Sequence, residues 1–247
     1  MKILLLDIET APHKAYVWGL WDQNVALNQV ESTGYVLSWA AAWHDKGKIM
    51  YADVQGGKIE MLTRIRTLLD EADVVVHYNG TKFDIPTLYK EFVEFDLPPP
   101  SPFKQIDLMQ VVKREFRFAS NKLDHVCEKL GLGQKIRHEG FELWVQCMNG
   151  EPTAWAKMEE YNKHDVLLTA RLYQRMLPWI KSHPNHSAYN DMLCCPKCGS
   201  TDYMEDGLAI ASVLKYIRYA CQSCGGWFRG NKSVSPRKAD RMMNVVS

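Results

Sequence analysis

The chain opens on an apolar run from Lys2 to Ile8. A run of that length without alternation predicts a central strand buried on both faces. From Ala11 to Gly34 no period is clear, and Tyr16, Trp18 and Trp21 fall in what reads as a long excursion. Tyr35 to His44 predicts a second strand, which passes through the Asp45-Lys46-Gly47 turn into a third at Lys48 to Asp53, a hairpin pattern. Met61, Ile65, Leu68 and Leu69 recur at helical spacing, so a helix is expected over Lys58 to Glu71, followed by a short strand at Asp73 to His77. Lys82 to Val93 predicts a helix with Pro86 in its first turn, where proline is tolerated. After the proline-rich connector from Leu97 to Pro102 come a short strand at Gln105 to Leu108 and a helix at Leu123 to Leu130 closed by Gly131. The longest helical pattern runs from Ala154 to Ile180 and breaks at His183-Pro184. A hairpin followed by alternating strands and helices predicts an α/β fold, a mixed sheet flanked by helices, over residues 1–182. A small β-rich module is expected over 191–231, and 232–247 reads as a flexible basic tail.

Composition changes this picture little. The sequence has 247 residues and a formal net charge of +1, and an acidic cleft and a basic surface would cancel to such a value. From Gly207 onward the basic residues Lys215, Arg218, Arg229, Lys232, Arg237, Lys238 and Arg241 face a single acid, Asp240. No apolar run approaches the ~20 residues needed to span a membrane. The N-terminal stretch meets Asp7 and Glu9 at once, unlike a signal peptide. Cys194, Cys195, Cys198, Cys221 and Cys224 crowd into the last third. Paired Cys-x-x-Cys spacing points to metal in a reducing cytoplasm rather than to disulfides.

Asp7 and Glu9 stand two apart on the first strand, so both project from one face. Adjacent carboxylates repel and are costly to desolvate unless a cation compensates; a strand-end or capping use of the acids is the plainer alternative. Asp84 follows a glycine-containing turn, where a helix-start aspartate is also favoured by the helix dipole. Tyr161 and Asp165 are four apart on the longest helix and share a face. Asp107 reads as a strand-end acid and Asp124 as a first-turn acid.

Taken in chain order, three motifs narrow the reading. Asp7-Ile8-Glu9-Thr10, the Asn-x-x-x-Phe-Asp-x-Pro-x-Leu pattern of Asn79 to Leu88, and Tyr161-x-x-x-Asp165 resemble the DEDD (DnaQ-like) superfamily of 3′→5′ exonucleases. The resemblance covers roughly residues 1 to 180. The second motif is similar to that of proofreading domains in B-family DNA polymerases, and the third to that of the tyrosine branch. The histidine branch would place a His at the position of Glu160, and His164 lies about 100° round the helix from Asp165.

The resemblance implies an RNase H-like fold in which Asp7, Glu9, Asp84 and Asp165 ligate two Mg²⁺ or Mn²⁺ ions, as hard oxygen donors favour. Tyr161 would orient the attacking water. Thr10 and Asn79 are expected to contact the terminal nucleotide; Phe83 is either a wedge beside it or a core residue. Trp18 and Trp21 either stack on unpaired bases or pin the excursion to the domain.

Cys195-Pro196-Lys197-Cys198-Gly199 and Cys221-Gln222-Ser223-Cys224-Gly225 resemble the two knuckles of a zinc ribbon, with one structural Zn²⁺ held by Cys195, Cys198, Cys221 and Cys224. Cys127 and Cys147 read as ordinary thiols. Lys215, Arg218, Tyr219, Trp227 and Arg229 mix cations with aromatics, which suits nucleic acid or, alternatively, docking to replication or recombination proteins. The expected function is a stand-alone 3′→5′ exonuclease acting on single-stranded or frayed DNA in the cytoplasm of a bacterium or phage-infected cell. An RNA exonuclease and a non-catalytic nucleic-acid-binding or scaffold protein are the alternatives.

Overall fold

The computed structural model of the chain describes residues 1–189 and 192–234. Lys2–Tyr173 forms one compact unit and the described residues from Gln174 onward a second. That division falls inside the longest helix, ahead of the boundary expected at 182.

In chain order the first unit contains β1 (Ile3–Thr10), β2 (Lys14–Ala15), β3 (Val30–Ser32), β4 (Val36–Trp43), β5 (Ile49–Asp53) and α1 (Lys58–Glu71). It continues with β6 (Val74–His77), α2 (Asp84–Glu94), β7 (Lys104–Asp107), α3 (Leu108–Glu115), α4 (Leu123–Lys129), α5 (Phe141–Met148) and most of α6 (Pro152–Met176). Five strands form one sheet in the order β5-β4-β1-β6-β7. β1 is central, antiparallel to β4 and parallel to β6, which explains why its apolar run does not alternate.

The two faces of the sheet carry separate cores. Leu4, Leu6 and Ile8 of β1 pack with Met61, Leu62, Ile65 and Leu69 of α1 and with Ile85, Leu88 and Phe92 of α2. Each such buried side chain contributes roughly 1.5–3 kcal/mol relative to exposure. Trp39 of β4 joins this core, and its indole N–H donates to the Met61 carbonyl at 2.9 Å. On the opposite face Ala11 and Leu37 meet Leu143 and Cys147 of α5 and Ala154, Trp155, Met158 and Tyr161 of α6. Asp7 and Glu9 alternate with Leu6 and Ile8 and so point away from the α1–α2 core.

Sequence periodicity did not reveal α3 or α5. Each has only eight residues, too few turns for a helical period to stand out. The excursion after β1 is an arm whose base is the short β2–β3 pairing, Lys14 opposite Ser32.

The second unit holds β8 (Tyr203–Ala211), β9 (Leu214–Cys221) and β10 (Trp227–Ser233), an antiparallel sheet in the order β10-β9-β8. β10 carries regular structure past 231, so Lys232 and Ser233 belong to the strand rather than to the expected tail. The remainder of that tail, from 235, lies outside the described residues. No helix among the described residues is long and apolar enough to cross a membrane.

Candidate active site and cysteine centre

Three elements bring acidic side chains together. Asp7 and Glu9 lie near the C-terminal end of β1, opposite Ala40 and Ser38 of β4. Asp165 comes from α6, where it is buried one helical turn after Tyr161. Asp7, Glu9 and Asp165 each offer a carboxylate oxygen within 4.8 Å of the others. Asp84 stands just apart from that cluster. It is buried in the first turn of α2, and its Oδ1 accepts from the Ile8 N–H at 3.2 Å, which ties the start of the helix to the strand that carries Asp7 and Glu9.

The electrostatics agree with the geometry. Burial, then the Asp165 and Glu9 carboxylates, hold Asp7 well above the ordinary aspartate range. Burial followed by Asp165 pushes Glu9 up to about 8, while Asp84 is pushed up to about 7, chiefly by burial. Asp165 is raised by burial although Lys135 opposes the shift. A set of partly and fully buried acids that resist ionisation is one that a cation would stabilise. Asp165 Oδ1 is buried with no hydrogen-bond partner among the described residues, so an acceptor is left for such a cation. The donors are all oxygens, which suits Mg²⁺ or Mn²⁺ rather than zinc.

Several residues here were not foreseen from the sequence. Lys135, in the loop after α4, donates to Asp165 Oδ2 and to the Tyr161 hydroxyl oxygen, the latter at 3.0 Å. Asn162 donates from Nδ2 to Asp7 Oδ2 at 2.7 Å, and its own Oδ1 accepts from Ser38 Oγ at 3.1 Å. A signal for Asn162 existed, since it precedes Asp165 by three residues and shares its helix face. Lys135 had none, because only the fold of a loop 30 residues away brings it back to Asp165. Tyr161 is wedged by His138 and Trp144, with ring centroids 4.8 Å and 6.0 Å away, and burial raises its hydroxyl above the ordinary tyrosine value.

The other expected contacts are placed as follows. Thr10 is the last residue of β1, and Asn79 sits in a left-handed conformation with φ 68°. The Asn79 N–H donates to Asp107 Oδ1 at 2.9 Å, and that oxygen also caps α3 through the Met109 N–H. Asp124 accepts from the Lys135 N–H at 2.8 Å, a structural use. Phe83 precedes α2 and is 45% exposed, so it is not a core residue. Trp18 is fully exposed and Trp21 nearly so, which removes the reading in which they pin the arm by burial. His164 bonds the Gln134 carbonyl at 2.8 Å.

In the second unit Cys195, Cys198, Cys221 and Cys224 lie with their sulfurs within 4.8 Å of one another. Cys195 and Cys224 sulfurs are 3.8 Å apart and those of Cys198 and Cys221 3.6 Å. Tetrahedral zinc with Zn–S bonds of ≈ 2.3 Å requires sulfur–sulfur edges of about 3.8 Å, so the donors fit. Both knuckles share one turn: the Gly199 N–H donates to the Cys195 carbonyl and the Gly225 N–H to the Cys221 carbonyl, with both glycines at positive φ. Cys194 is buried beside Ser187 and outside the four-sulfur group. Cys127 and Cys147 are also buried.

Residues 4–177 match the profile of a family described as the RNase H superfamily. A DNA polymerase of Thermococcus litoralis is 25% identical over 203 residues, covering 72% of this chain and 12% of its own length. A DNA polymerase of Thermococcus aggregans is 24% identical over 203 residues, covering 72% of this chain and 11% of its own. The chain therefore spans about an eighth of the length of these curated relatives. Among solved structures, the family B DNA polymerase of Pyrobaculum calidifontis superposes with a TM-score of 0.55 at 19% identity, over 72% of this chain and 24% of that one.

Proposed function

The chain belongs to the RNase H superfamily, and from that premise we propose that it is a metal-dependent 3′→5′ exonuclease that removes nucleoside 5′-monophosphates from a DNA strand. The observation that carries this reading is the convergence of Asp7, Glu9 and Asp165 within 4.8 Å, with Tyr161 beside Asp165. Asp7, Glu9, Asp84 and Asp165 are the residues that would hold two Mg²⁺ or Mn²⁺ ions. Such a pair supplies Lewis-acid stabilisation of the developing phosphate charge and a water acidic enough to ionise near neutral pH.

The protein's own groups do the positioning. Asn162 fixes the Asp7 carboxylate, and Ser38 fixes Asn162. Lys135 donates to Tyr161 Oη and so holds the tyrosine hydroxyl beside Asp165, where it would orient a water. With its pKa raised, Tyr161 is an orienting group and not a base. Thr10 and Asn79 are assigned to the terminal nucleotide, Phe83 to a face of its base, and Trp18 and Trp21 to unpaired bases further along. The polymerase relatives favour DNA over RNA. The ribbon cysteines would hold one structural Zn²⁺, giving a catalytic part over 1–182 and a ribbon that runs through β10 to Ser233.

The test uses 5′-labelled and 3′-labelled DNA and RNA single strands, with Mg²⁺ or Mn²⁺, beside Asp7→Ala. A ladder from 5′-labelled DNA with wild type and none with the variant is expected. A ladder from RNA alone would replace the DNA assignment. Equal activity of both proteins would remove the carboxylates from the mechanism, and no cleavage of any strand would leave a binding or scaffold protein.

A further inference from the structure

The ribbon sheet sorts its side chains onto two faces, and the pairing register shows which. Tyr203, Tyr219 and Phe228 cluster on one, with ring centroids 5.4–5.5 Å apart. The other carries Tyr216, Arg218 and Ala220 of β9, because Arg218 pairs with Arg229 and Ala220 with both Trp227 and Met204. Tyr219, which the sequence grouped with the cations, therefore faces away from them, and Tyr216 takes its place.

Two features of the second face call for a ligand. Arg218 and Arg229 are direct cross-strand partners, and like charges so placed destabilise a sheet. Asp206 accepts from Arg218 at 3.1 Å and offsets one of the two. Each guanidinium also lies over a ring: Arg229 is 3.9 Å from the centroid of Tyr216, and Arg218 is 4.8 Å from that of Trp227. Trp227 is nevertheless 52% exposed, so much of its ring remains available. An acidic peptide would satisfy the arginines but leave the indole in water. An unpaired nucleic-acid strand satisfies both, with phosphates on the guanidiniums and bases on the rings.

We propose that the face formed by Met204, Tyr216, Arg218, Trp227 and Arg229 is a binding platform for single-stranded nucleic acid, in which Trp227 stacks on a base and Arg218 and Arg229 hold phosphates. The platform deepens the exonuclease reading by giving the strand an attachment other than the carboxylate site, and its binding is measured without hydrolysis.

Fluorescence anisotropy of 5′-fluorescein-labelled dT20 and rU20 on the full chain, in an Asp7→Ala background that leaves the strand uncut, tests it. Trp227→Ala should weaken binding about tenfold. Arg229→Gln should weaken it severalfold and flatten the log K against log salt slope by about 0.7, the value for one phosphate contact on a single strand. Trp227→Phe guards against a folding defect, since it keeps an aromatic ring and should bind nearly as wild type. The two oligonucleotides report which sugar the face accepts. If Trp227→Ala and Arg229→Gln both bind within twofold of the parent with an unchanged salt slope, the platform does not exist. Turnover of the p-nitrophenyl ester of thymidine 5′-monophosphate by the wild-type chain reads the carboxylate site without a strand. Failure of wild type to turn it over would count against the carboxylate site and leave the binding result standing.

Discussion

Glu9 shows how the site's chemistry is set by its surroundings. A carboxyl with an ordinary value of 4.5 is pushed up to about 8 by burial and by Asp165. Its folded pKa lies above its unfolded value, so in the metal-free protein the folded state holds more protons across that interval. Stability is therefore full below about pH 4.5 and is lost as pH rises toward 8. Asp7, Asp84 and Asp165 are raised too and act in the same direction. A divalent cation that binds the ionised acids should reverse the trend. We expect the gain in Tm on adding Mg²⁺ to grow from pH 5 to pH 8, measured by calorimetry in chelated and Mg²⁺-containing buffers. A gain independent of pH would contradict the assignment of these acids as ligands. The acids themselves were legible because carboxylates two apart on a strand, or four after a tyrosine on a helix, share a face whatever the rest of the chain does. Lys135 was not, because its contact with Asp165 depends on the path of a loop.

At the scale of elements, the turn between β6 and α2 carries the most constraint. The Gly80 N–H donates to His77 Nδ1 at 3.0 Å, and the Gly80 carbonyl accepts from Phe83 and Ile85 at the start of α2. A Cβ at Gly80 would fall 2.5 Å from His77 Cγ. His77 is buried and bonded at Nε2 to Gln105, so it has little room to retreat. Gly80→Ala should therefore cost about 1–3 kcal/mol of stability, as overpacking does. It should also lower the proposed nuclease activity more than tenfold, since Asp84 is set by this turn. Thermal denaturation and initial rates check both, and a variant with wild-type Tm and rate would show that the turn has slack. The turn's glycine and its motif were visible in the sequence. The close approach to His77 that requires glycine was not, since nothing in a linear pattern shows which side chain lies beneath a backbone. Short length hid α3, although its Asp107 cap onto Met109 is local, and α5 rests on packing of Leu143 and Cys147 against Leu37, which no linear pattern shows.

For the whole molecule, the two units are held by different means. Lys2–Tyr173 has an apolar core on each face of its sheet. In the ribbon, strands β8, β9 and β10 carry few fully buried residues, and a module of that kind depends on its metal. Cys198→Ser should release zinc and abolish the ribbon's near-UV circular dichroism signal. A separate melting transition of the first unit should remain within about 2 °C of wild type. One retained zinc per chain, by atomic absorption, would show that the four sulfurs are not the ligand set. Burial raises the Cys198 thiol and pushes Cys224 up to about 11 without metal, so thiolate formation and metal uptake are coupled and zinc binding should release protons.

The sequence alone determined the central strand, the α/β class, the four acids with Tyr161 and the cysteine pairs. Each is a local signal, a period or a fixed spacing that survives any arrangement of the rest. Tertiary structure decided which acids converge, that Asp84 is tied to Ile8 while the other three cluster, and that Lys135 and Asn162 enter the site. It also decided that Tyr216, and not Tyr219, shares a face with the ribbon arginines. Those outcomes depend on register, loop paths and the side of the sheet on which each helix lands. A one-residue change in pairing would move every side chain of a strand to the other face.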